Sequence, residues 1–299
     1  MAIAILIEIE IMRALIRGSE LFFDVDGASI AIDQMGNLQQ KSVAFLLHGG
    51  PGADHSAYKP SFNPLTQILQ LVYIDHRGQG RSARGPQDTY TLENNIEDTE
   101  ALRQYLGLEK IVLIGSSYGG MVALSYAARY PENVESLIVI ATAASYRFLE
   151  RAKQYLEQYG TSEEQQQIAQ YLWEGKFAKE EQLKDYFEVM MPLYSKSCQV
   201  NPSKNNTNNT IFSIEAINEA FGGFLRTYNI AGDLNKITSP TLVLAGRYDW
   251  ICPVEFSQEI AKSIANAKLT IFENSGHLIR LDEPKLLIEE IIAFLNANK

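Results

Sequence analysis

Residues 111–120 read IVLIGSSYGG, and the prediction of the fold starts from them. Its first four residues are apolar and three of them are β-branched, which predicts a buried strand. Residues 121–128 are mostly small or apolar and predict a helix. Between the two lies Gly-x-Ser-x-Gly, so the sequence predicts a sharp strand–turn–helix that lifts the Ser117 hydroxyl above a sheet. Ser117 is therefore a candidate nucleophile.

Alternating strands and helices surround this stretch. An antiparallel pair, residues 21–25 with 28–32, is expected to turn at Asp26-Gly27, and a polar loop follows. Further strands are predicted over 43–47, 71–75, 111–114, 134–141, 241–245 and 269–272. Helices are predicted over 91–106, 253–264 and 284–295. The alternation predicts an α/β fold, with a mostly parallel sheet and helices on both faces.

The pattern changes to amphipathic helices in the second half of the chain, without a convincing strand among them. These helices are predicted over 150–159, 162–173, 179–191 and 214–228. We therefore divide the chain into an α/β core domain, residues 1–142 and 233–299, and an inserted helical cap domain, residues 143–232. Because the insertion follows the carboxyl end of a strand, where such sheets bind ligands, we expect a lid over Ser117.

The composition is that of an ordinary globular protein. The 299 residues are 46% hydrophobic and 21% charged, which suits one large α/β domain with an insertion or two small domains. The net charge of −10, without a basic patch, argues against nucleic acid or an anionic membrane as a partner. Two cysteines, Cys198 and Cys252, cannot build a disulfide framework, so a reduced cytoplasm is the simplest expectation, and one disulfide between them stays open.

The first twelve residues are mostly apolar, but Glu8 and Glu10 interrupt them. This segment is too short and too acidic for a signal peptide or a membrane span. Its alternating isoleucines predict an extra edge strand, unless residues 1–11 are an upstream extension and Met12 is the natural start. An unpaired edge strand tends to associate, so a homo-oligomer stays an alternative to a monomer.

A serine hydroxyl is a weak nucleophile that needs a base, and the base needs an orienting acid. Of the four histidines, His277 directly follows the last predicted strand, at the sheet edge where Ser117 is expected. Asp249 follows strand 241–245 and lies between them in the order Ser, Asp, His. The sequence therefore predicts Ser117, Asp249 and His277 as a catalytic triad.

Hydrolysis through a tetrahedral oxyanion also needs hydrogen-bond donors. The Tyr118 N–H, at the start of a helix, is one predicted donor. The other is expected in His-Gly-Gly-Pro-Gly, residues 48–52, where glycines allow the backbone to approach a substrate, and we choose the Gly50 N–H. His48 is expected to be structural and to hold this loop in place.

The stretch DHRGQGRS, residues 75–82, is predicted to be a loop held by charged contacts beside the site. His76 and Arg77 are expected to be structural, and His55 is expected at the rim of a pocket or on the surface. No spacing of His, Cys and carboxylate residues suggests a metal site, and the glycine-rich loop matches neither a phosphate-binding nor a dinucleotide-binding pattern. We therefore expect no cofactor.

With these residues in place, the chain resembles the α/β-hydrolase superfamily along nearly its whole length. More narrowly it resembles the proline iminopeptidase family, also called prolyl aminopeptidases. The matching motifs are His48-Gly-Gly-Pro-Gly52, Asp75-His-Arg-Gly-Gln-Gly-Arg-Ser82, Gly115-Ser-Ser-Tyr-Gly-Gly120, Gly246-Arg-Tyr-Asp249 and Ser275-Gly-His277.

This resemblance implies release of an N-terminal residue, often proline, from a short peptide or similar small molecule. It also implies that cap glutamates bind the substrate α-ammonium, and Glu215 and Glu219 are the candidates, being four residues apart on one helix face. A solvated helix face is the alternative for both. Two other functions stay open: a carboxylesterase, lactonase or carbon–carbon hydrolase for a small apolar substrate, and a hydrolase-fold binding or receptor protein with little turnover.

Overall fold

A computed structural model describes residues 12–32, 35–159, 161–201 and 209–298. The edge strand predicted within residues 1–11 lies outside the described residues. Among the described residues, no helix has the length and apolar character needed to cross a membrane.

The strands build one large sheet and a small hairpin. In chain order they are β1 (Arg13–Ile16), β2 (Ser19–Asp26), β3 (Ile30–Ile32), β4 (Leu38–Gln40), β5 (Ser42–Leu47), β6 (Leu69–Ile74), β7 (Ile111–Ser116), β8 (Val134–Ile140), β9 (Thr241–Gly246) and β10 (Ala267–Phe272). The large sheet has the spatial order β1-β2-β6-β5-β7-β8-β9-β10, and β3 pairs with β4. All neighbours from β6 to β10 run parallel, whereas β2 is antiparallel to both β1 and β6. The mostly parallel sheet is confirmed.

The central strands are buried on both faces because helices cover the sheet on each side. The helices are α1 (Lys59–Phe62), α2 (Leu92–Tyr105), α3 (Tyr118–Arg129), α4 (Arg147–Gln158), α5 (Glu163–Glu174), α6 (Glu180–Tyr194), α7 (Lys196–Val200), α8 (Ile214–Gly222), α9 (Val254–Ser263), α10 (Ile279–Asp282) and α11 (Pro284–Ala297). Side chains of α2, α3 and α9 pack on one face of the sheet, and those of α1, α10 and α11 pack on the other. Phe45 and Leu46, adjacent in β5, belong to the two opposite cores.

The predicted antiparallel pair of residues 21–25 with 28–32 is wrong. β2 pairs with β1 and with β6, while β3 pairs with β4, which lies in the stretch predicted to be a loop. Pairing with β6 lets β2 bury Leu21 and Phe23 in the core, whereas Ile30 and Ile32 of β3 stay exposed. Burial of the apolar face therefore outweighs the local turn signal.

Helices α4 to α8 lie between β8 and β9 in the chain. The segments that leave and re-enter the sheet are joined to each other, since the Tyr146 N–H donates to Tyr228 O at 2.6 Å and the Ile230 N–H donates to Ala144 O at 2.9 Å. The last of these helices ends at Gly222, earlier than predicted, and two short helices, α7 and α10, were not predicted.

Candidate active site

Ser117 stands at the turn between β7 and α3 in a backbone conformation with φ 55° and ψ −120°. A positive φ is unfavourable for a residue with a side chain, so the surroundings must hold it. The Ser117 N–H donates to Ile140 O at 2.8 Å, and Thr142 Oγ1 donates to Ser117 O at 2.7 Å. The neighbouring strand β8 and the residues after it therefore fix the serine turn.

The glycines around Ser117 leave no space for side chains. A Cβ added at Gly115 would lie 2.2 Å from Gly119 O, and one added at Gly119 would lie 1.9 Å from Leu47 O. A Cβ at Gly120 would lie 2.7 Å from the Thr142 Cβ. Close packing of α3 on β5 and β7, and against Thr142, thus requires glycine at these positions.

Asp249 and His277 lie beside each other at the carboxyl ends of β9 and β10. His277 Nδ1 lies 2.8 Å from Asp249 Oδ2, and both residues are buried, with exposed fractions of 5% and 4%. Asp249 Oδ1 accepts hydrogen bonds from the Ile251 and Cys252 N–H groups at 3.0 and 2.9 Å. Because the ionised carboxylate only accepts, Nδ1 carries the proton and Nε2 is left as an acceptor. Ser117 and His277 line the same cavity.

The glycine-rich loop lies directly against the serine. A Cβ added at Gly49 would lie 3.1 Å from the Ser117 Cβ. The Gly49 N–H donates to the Tyr58 hydroxyl at 2.9 Å and is thereby engaged. Gly50, next in the chain, has φ 118° and lines the cavity together with Tyr118. Tyr118 begins α3, so its N–H belongs to the first turn, where N–H groups have no acceptor within the helix.

His48 holds the glycine-rich loop in place, as predicted. Its Nδ1 lies 2.8 Å from Gly49 O, and its Nε2 accepts from the His76 N–H at 3.2 Å. Burial lowers the pKa of His48 and lowers that of His76 further still, so both rings are neutral at pH 7. Their role is structural.

His55 is not at the rim of the pocket, so that prediction is wrong. Its side chain is buried, and its Nδ1 lies 2.8 Å from Asp75 Oδ1. Asp75 also accepts from the N–H groups of His55 and Arg81 at 2.9 and 2.8 Å. Burial works against the charge of Asp75, but the hydrogen bond from His55 holds the pKa of this carboxyl below its usual range. His55 is therefore buried because its ring makes a hydrogen bond to the buried carboxylate of Asp75.

The loop after β6 is held by charged contacts, as predicted. Arg77 donates to both oxygens of Asp98 in α2, at 2.7 and 2.6 Å. Arg81 Nη1 lies 2.9 Å from Asp54 Oδ2. The two-pronged contact of Arg77 fixes its guanidinium in one orientation and ties the loop to α2.

The cavity above Ser117 has a volume of about 380 Å³ and lies between the sheet edge and the inserted helices. Most of the cavity wall is apolar. Its large apolar side chains include Phe148, Leu172, Phe187, Met191, Phe212, Ile217, Phe221 and Leu225. Of the described residues that line the cavity, Asp54 is the only one with a carboxylate. Asp249, the partner of His277, is not among the lining residues. Asp54 is already satisfied by Arg81, by Ser56 and by the Ile211 N–H at 3.0 Å.

Neither Glu215 nor Glu219 is among the described residues that line this cavity. Ile217 and Phe221 of the same helix, α8, line it instead. Two residues along an α-helix correspond to about 200° of rotation, so side chains at 215 and 219 point away from the face that carries 217 and 221. Glu215 Oε2 accepts from Ser213 Oγ at 3.3 Å, a contact within the start of the helix. The geometry therefore gives the two glutamates no place in the cavity wall.

Three residues of the cavity wall that bear on the site were not predicted from the sequence. Tyr58 supports the glycine-rich loop through its hydroxyl, Tyr194 packs its ring 5.5 Å from that of His277, and Arg280 lines the cavity shortly after His277. No motif marks Tyr58 or Tyr194, because both reach the site through tertiary packing. Arg280 could have been noticed from the sequence, because it lies three residues after His277, the predicted base. Within the described part of the chain, no three His, Cys, Asp or Glu side chains gather to hold a metal.

Comparisons with known proteins agree with the fold. A family model for the alpha/beta hydrolase fold matches residues 45–284. Proline iminopeptidase PfmaB of Pestalotiopsis fici is 32% identical over 279 residues, which cover 92% of this chain and 98% of that protein. A proline iminopeptidase of Saccharolobus solfataricus is 32% identical over 264 residues, covering 84% and 83%. Among solved structures, a thermophilic esterase from Thermogutta terrifontis superposes with a TM-score of 0.73 at 25% identity, covering 96% and 98%.

Proposed function

This chain belongs to the α/β-hydrolase family and is a hydrolase, and from that premise we propose that it works through an acyl-enzyme on Ser117. The observation that carries the proposal is the buried contact of 2.8 Å between Asp249 and His277, because His277 lines the same cavity as Ser117. Ser117 Oγ attacks the carbonyl carbon of the substrate while His277 Nε2 takes the hydroxyl proton. Asp249 then stabilises the imidazolium and keeps its ring oriented.

The negative charge that forms on the carbonyl oxygen is stabilised by the N–H groups of Gly50 and Tyr118. The engagement of the Gly49 N–H with Tyr58 supports the choice of Gly50. Collapse of the tetrahedral intermediate breaks the bond to the leaving group, which takes the proton from His277. Water, deprotonated by His277, then attacks the acyl-enzyme, and the released Ser117 recovers its proton. Each oxyanion donor contributes about 3–4 kcal/mol to barrier lowering.

The favoured reaction is release of an N-terminal residue, as in a proline iminopeptidase. Similarity to proteins of that name over most of the chain supports it. The apolar cavity of about 380 Å³ suits a proline ring or another small apolar residue. The proposed substrate is therefore a short peptide or a similar small molecule.

Ester hydrolysis is the second candidate, and one observation favours it. An aminopeptidase must hold an α-ammonium, yet among the described residues Asp54 is the only carboxylate facing the cavity, and Arg81 already neutralises it. An esterase, lactonase or carbon–carbon hydrolase has no such need. Rates on proline para-nitroanilide and on para-nitrophenyl butyrate separate the two, because an esterase would leave the anilide intact.

We also propose that residues 143–232 act as a cap domain on a core formed by residues 1–142 and 233–299. The hydrogen bonds that join Tyr146 to Tyr228 and Ala144 to Ile230 support this division, since they close the insertion at its base. A cytoplasmic location fits the two buried cysteines, Cys198 and Cys252, which are not paired with each other.

Replacement of Ser117 tests the whole proposal. Ser117→Ala should lower kcat by about 10⁶-fold on whichever substrate the wild type turns over, because the attacking atom is removed. A fluorophosphonate probe should label the wild type and not this variant. Ser263→Ala, on α9 and away from the cavity, is the matched control and should keep both properties. Wild-type turnover by Ser117→Ala would remove Ser117 as nucleophile, and absence of labelling in the wild type would favour a binding protein.

A further inference from the structure

Arg280 places a positive charge in the wall of the cavity that holds Ser117. It belongs to the short helix α10, directly after the His277 loop, and it lines the same cavity as His277. Its guanidinium lies over the ring of Tyr58, 5.7 Å from the ring centre. An arginine keeps its charge under all ordinary conditions, so the wall carries a permanent cation here.

No carboxylate of the described residues forms an ion pair with Arg280. Asp282, two residues further along the sequence, accepts from Ser195 Oγ at 2.6 Å and from the N–H groups of Ser197 and Gly276, both at 2.8 Å. Asp54, across the cavity wall, is paired with Arg81. The hydrogen-bond donors of Arg280 are therefore left for a ligand.

An unpaired guanidinium in a largely apolar cavity is costly unless a ligand completes it. Arginine presents a planar fork of donors that matches a carboxylate. We propose that Arg280 binds a carboxylate of the substrate, so that this hydrolase acts on esters or amides that carry a carboxylate besides the bond being cleaved. This proposal rests on the proposed function, because it assigns the substrate class of the same site.

Tyr58 links the proposed carboxylate site to the reacting centre. Its hydroxyl accepts from the Gly49 N–H, and its ring lies beneath Arg280. The carboxylate would thus lie on the wall shared by the glycine-rich loop and the His277 loop. Such a charge could belong to the acyl group, as in a half-ester of a dicarboxylic acid, or to the leaving group, as in a dipeptide with a free carboxyl end.

Matched pairs of esters test the proposal and separate the two sources. The acyl-side pair is the mono-para-nitrophenyl ester of adipic acid against para-nitrophenyl hexanoate. The leaving-group pair is para-carboxyphenyl butyrate against para-carbamoylphenyl butyrate. In at least one pair, kcat/KM of the wild type should be about tenfold or more higher for the anionic ester than for the neutral one, chiefly because KM is lower. In Arg280→Gln, this ratio of the two kcat/KM values should be close to one. Arg280→Lys should keep part of the preference.

Lys285→Gln is the matched control, because it removes an exposed positive charge from the same region without touching the cavity, and its ratio should equal that of the wild type. A wild-type ratio near one in both pairs, or an unchanged ratio in Arg280→Gln, would overturn the proposal. If Arg280→Gln does not fold, inhibition of the wild type by adipate against hexanoate gives the same comparison, and equal inhibition would count against the carboxylate site. Failure of the wild type to cleave any of the four esters, anionic or neutral, would by contrast count against the proposed function.

Discussion

At the scale of single residues, the serine turn depends on the absence of side chains around it. Gly119 faces Leu47 O across the contact between α3 and β5, and Gly115 faces Gly119 itself. The backbones of β5, β7 and α3 approach each other so closely there that a Cβ atom does not fit between them. The strained Ser117 conformation is tolerated because these contacts, together with the hydrogen bond from Thr142, leave the turn no alternative.

Gly119→Ala should destabilise the protein by about 3 kcal/mol or more, because its Cβ would lie 1.9 Å from Leu47 O. Gly232→Ala is the control, since a Cβ there meets nothing within 4 Å. The midpoints of urea unfolding of the two variants provide the comparison. A Gly119→Ala variant as stable as the control would mean that α3 can move away from β5 at little cost.

The positions of the proposed triad could be predicted from the sequence because each residue lies shortly after a strand that its apolar run makes recognisable. Ser117, Asp249 and His277 all follow apolar runs, and the carboxyl ends of parallel strands meet at one edge. The buried position of His55 could not be predicted, because it depends on a carboxylate, Asp75, at the end of a different strand. The unpaired state of Arg280 likewise depends on what surrounds it in space.

At the scale of elements, the junction of α6 and α7 is tied to the His277 loop. The Leu278 N–H donates to Tyr194 O at 2.9 Å. Asp282 accepts from Ser195 Oγ and Ser197 on the side of the inserted helices, and from the Gly276 N–H on the side of the loop. One carboxylate therefore joins the inserted helices to the segment that carries the proposed base.

Asp282→Asn should lower kcat/KM by about tenfold, because an amide has one acceptor oxygen and cannot hold both segments. The effect should fall on the position of His277, so kcat should drop more than KM rises. Asp233→Asn, at an exposed pair with Lys236, is the control and should change neither constant. Equal kinetics for the two variants would show that the inserted helices and the His277 loop are held together by other contacts.

Helices with clear end signals were predicted closely, whereas strand pairing was not. Thr91 caps α2 by accepting from the Asn94 N–H, and the predicted helix of residues 91–106 agrees with the observed Leu92–Tyr105. The cap signal is local and can be read from adjacent residues. Besides β1, the partner of β2 is β6, far along the chain, so the choice between β6 and β3 depends on the assembled core.

At the scale of the whole molecule, buried carboxylates set the response to acid. Glu100 accepts hydrogen bonds from Arg103 and Gln104 of its own helix, from Tyr126 of α3 and from Asn133 after α3. Burial works against its charge, but these hydrogen bonds, led by that of Arg103, hold the pKa of Glu100 at about 2. The folded state therefore releases the Glu100 proton more readily than the unfolded chain does.

Because the folded pKa lies below the usual 4.5, the charge of Glu100 stabilises the fold above about pH 4.5, and this stabilisation is lost as the pH falls towards 2. Glu100→Gln should lower the free energy of unfolding by about 1–3 kcal/mol at pH 7. The difference in free energy of unfolding between wild type and Glu100→Gln, measured by urea titration, should become smaller as the pH falls from 4.5 to 2. Glu157→Gln, at an exposed site on α4, should match the wild type throughout. If this difference in free energy of unfolding did not change with pH, packing and not charge would link α2 to α3.

The order of the proposed catalytic residues along the chain has a consequence for biosynthesis. Ser117 follows β7, while Asp249 and His277 follow β9 and β10, the last two strands. A nascent chain that has left the ribosome only as far as α8 carries the serine turn without its base or its acid. Hydrolysis through the proposed triad must therefore wait until β9 and β10 are translated and join the sheet.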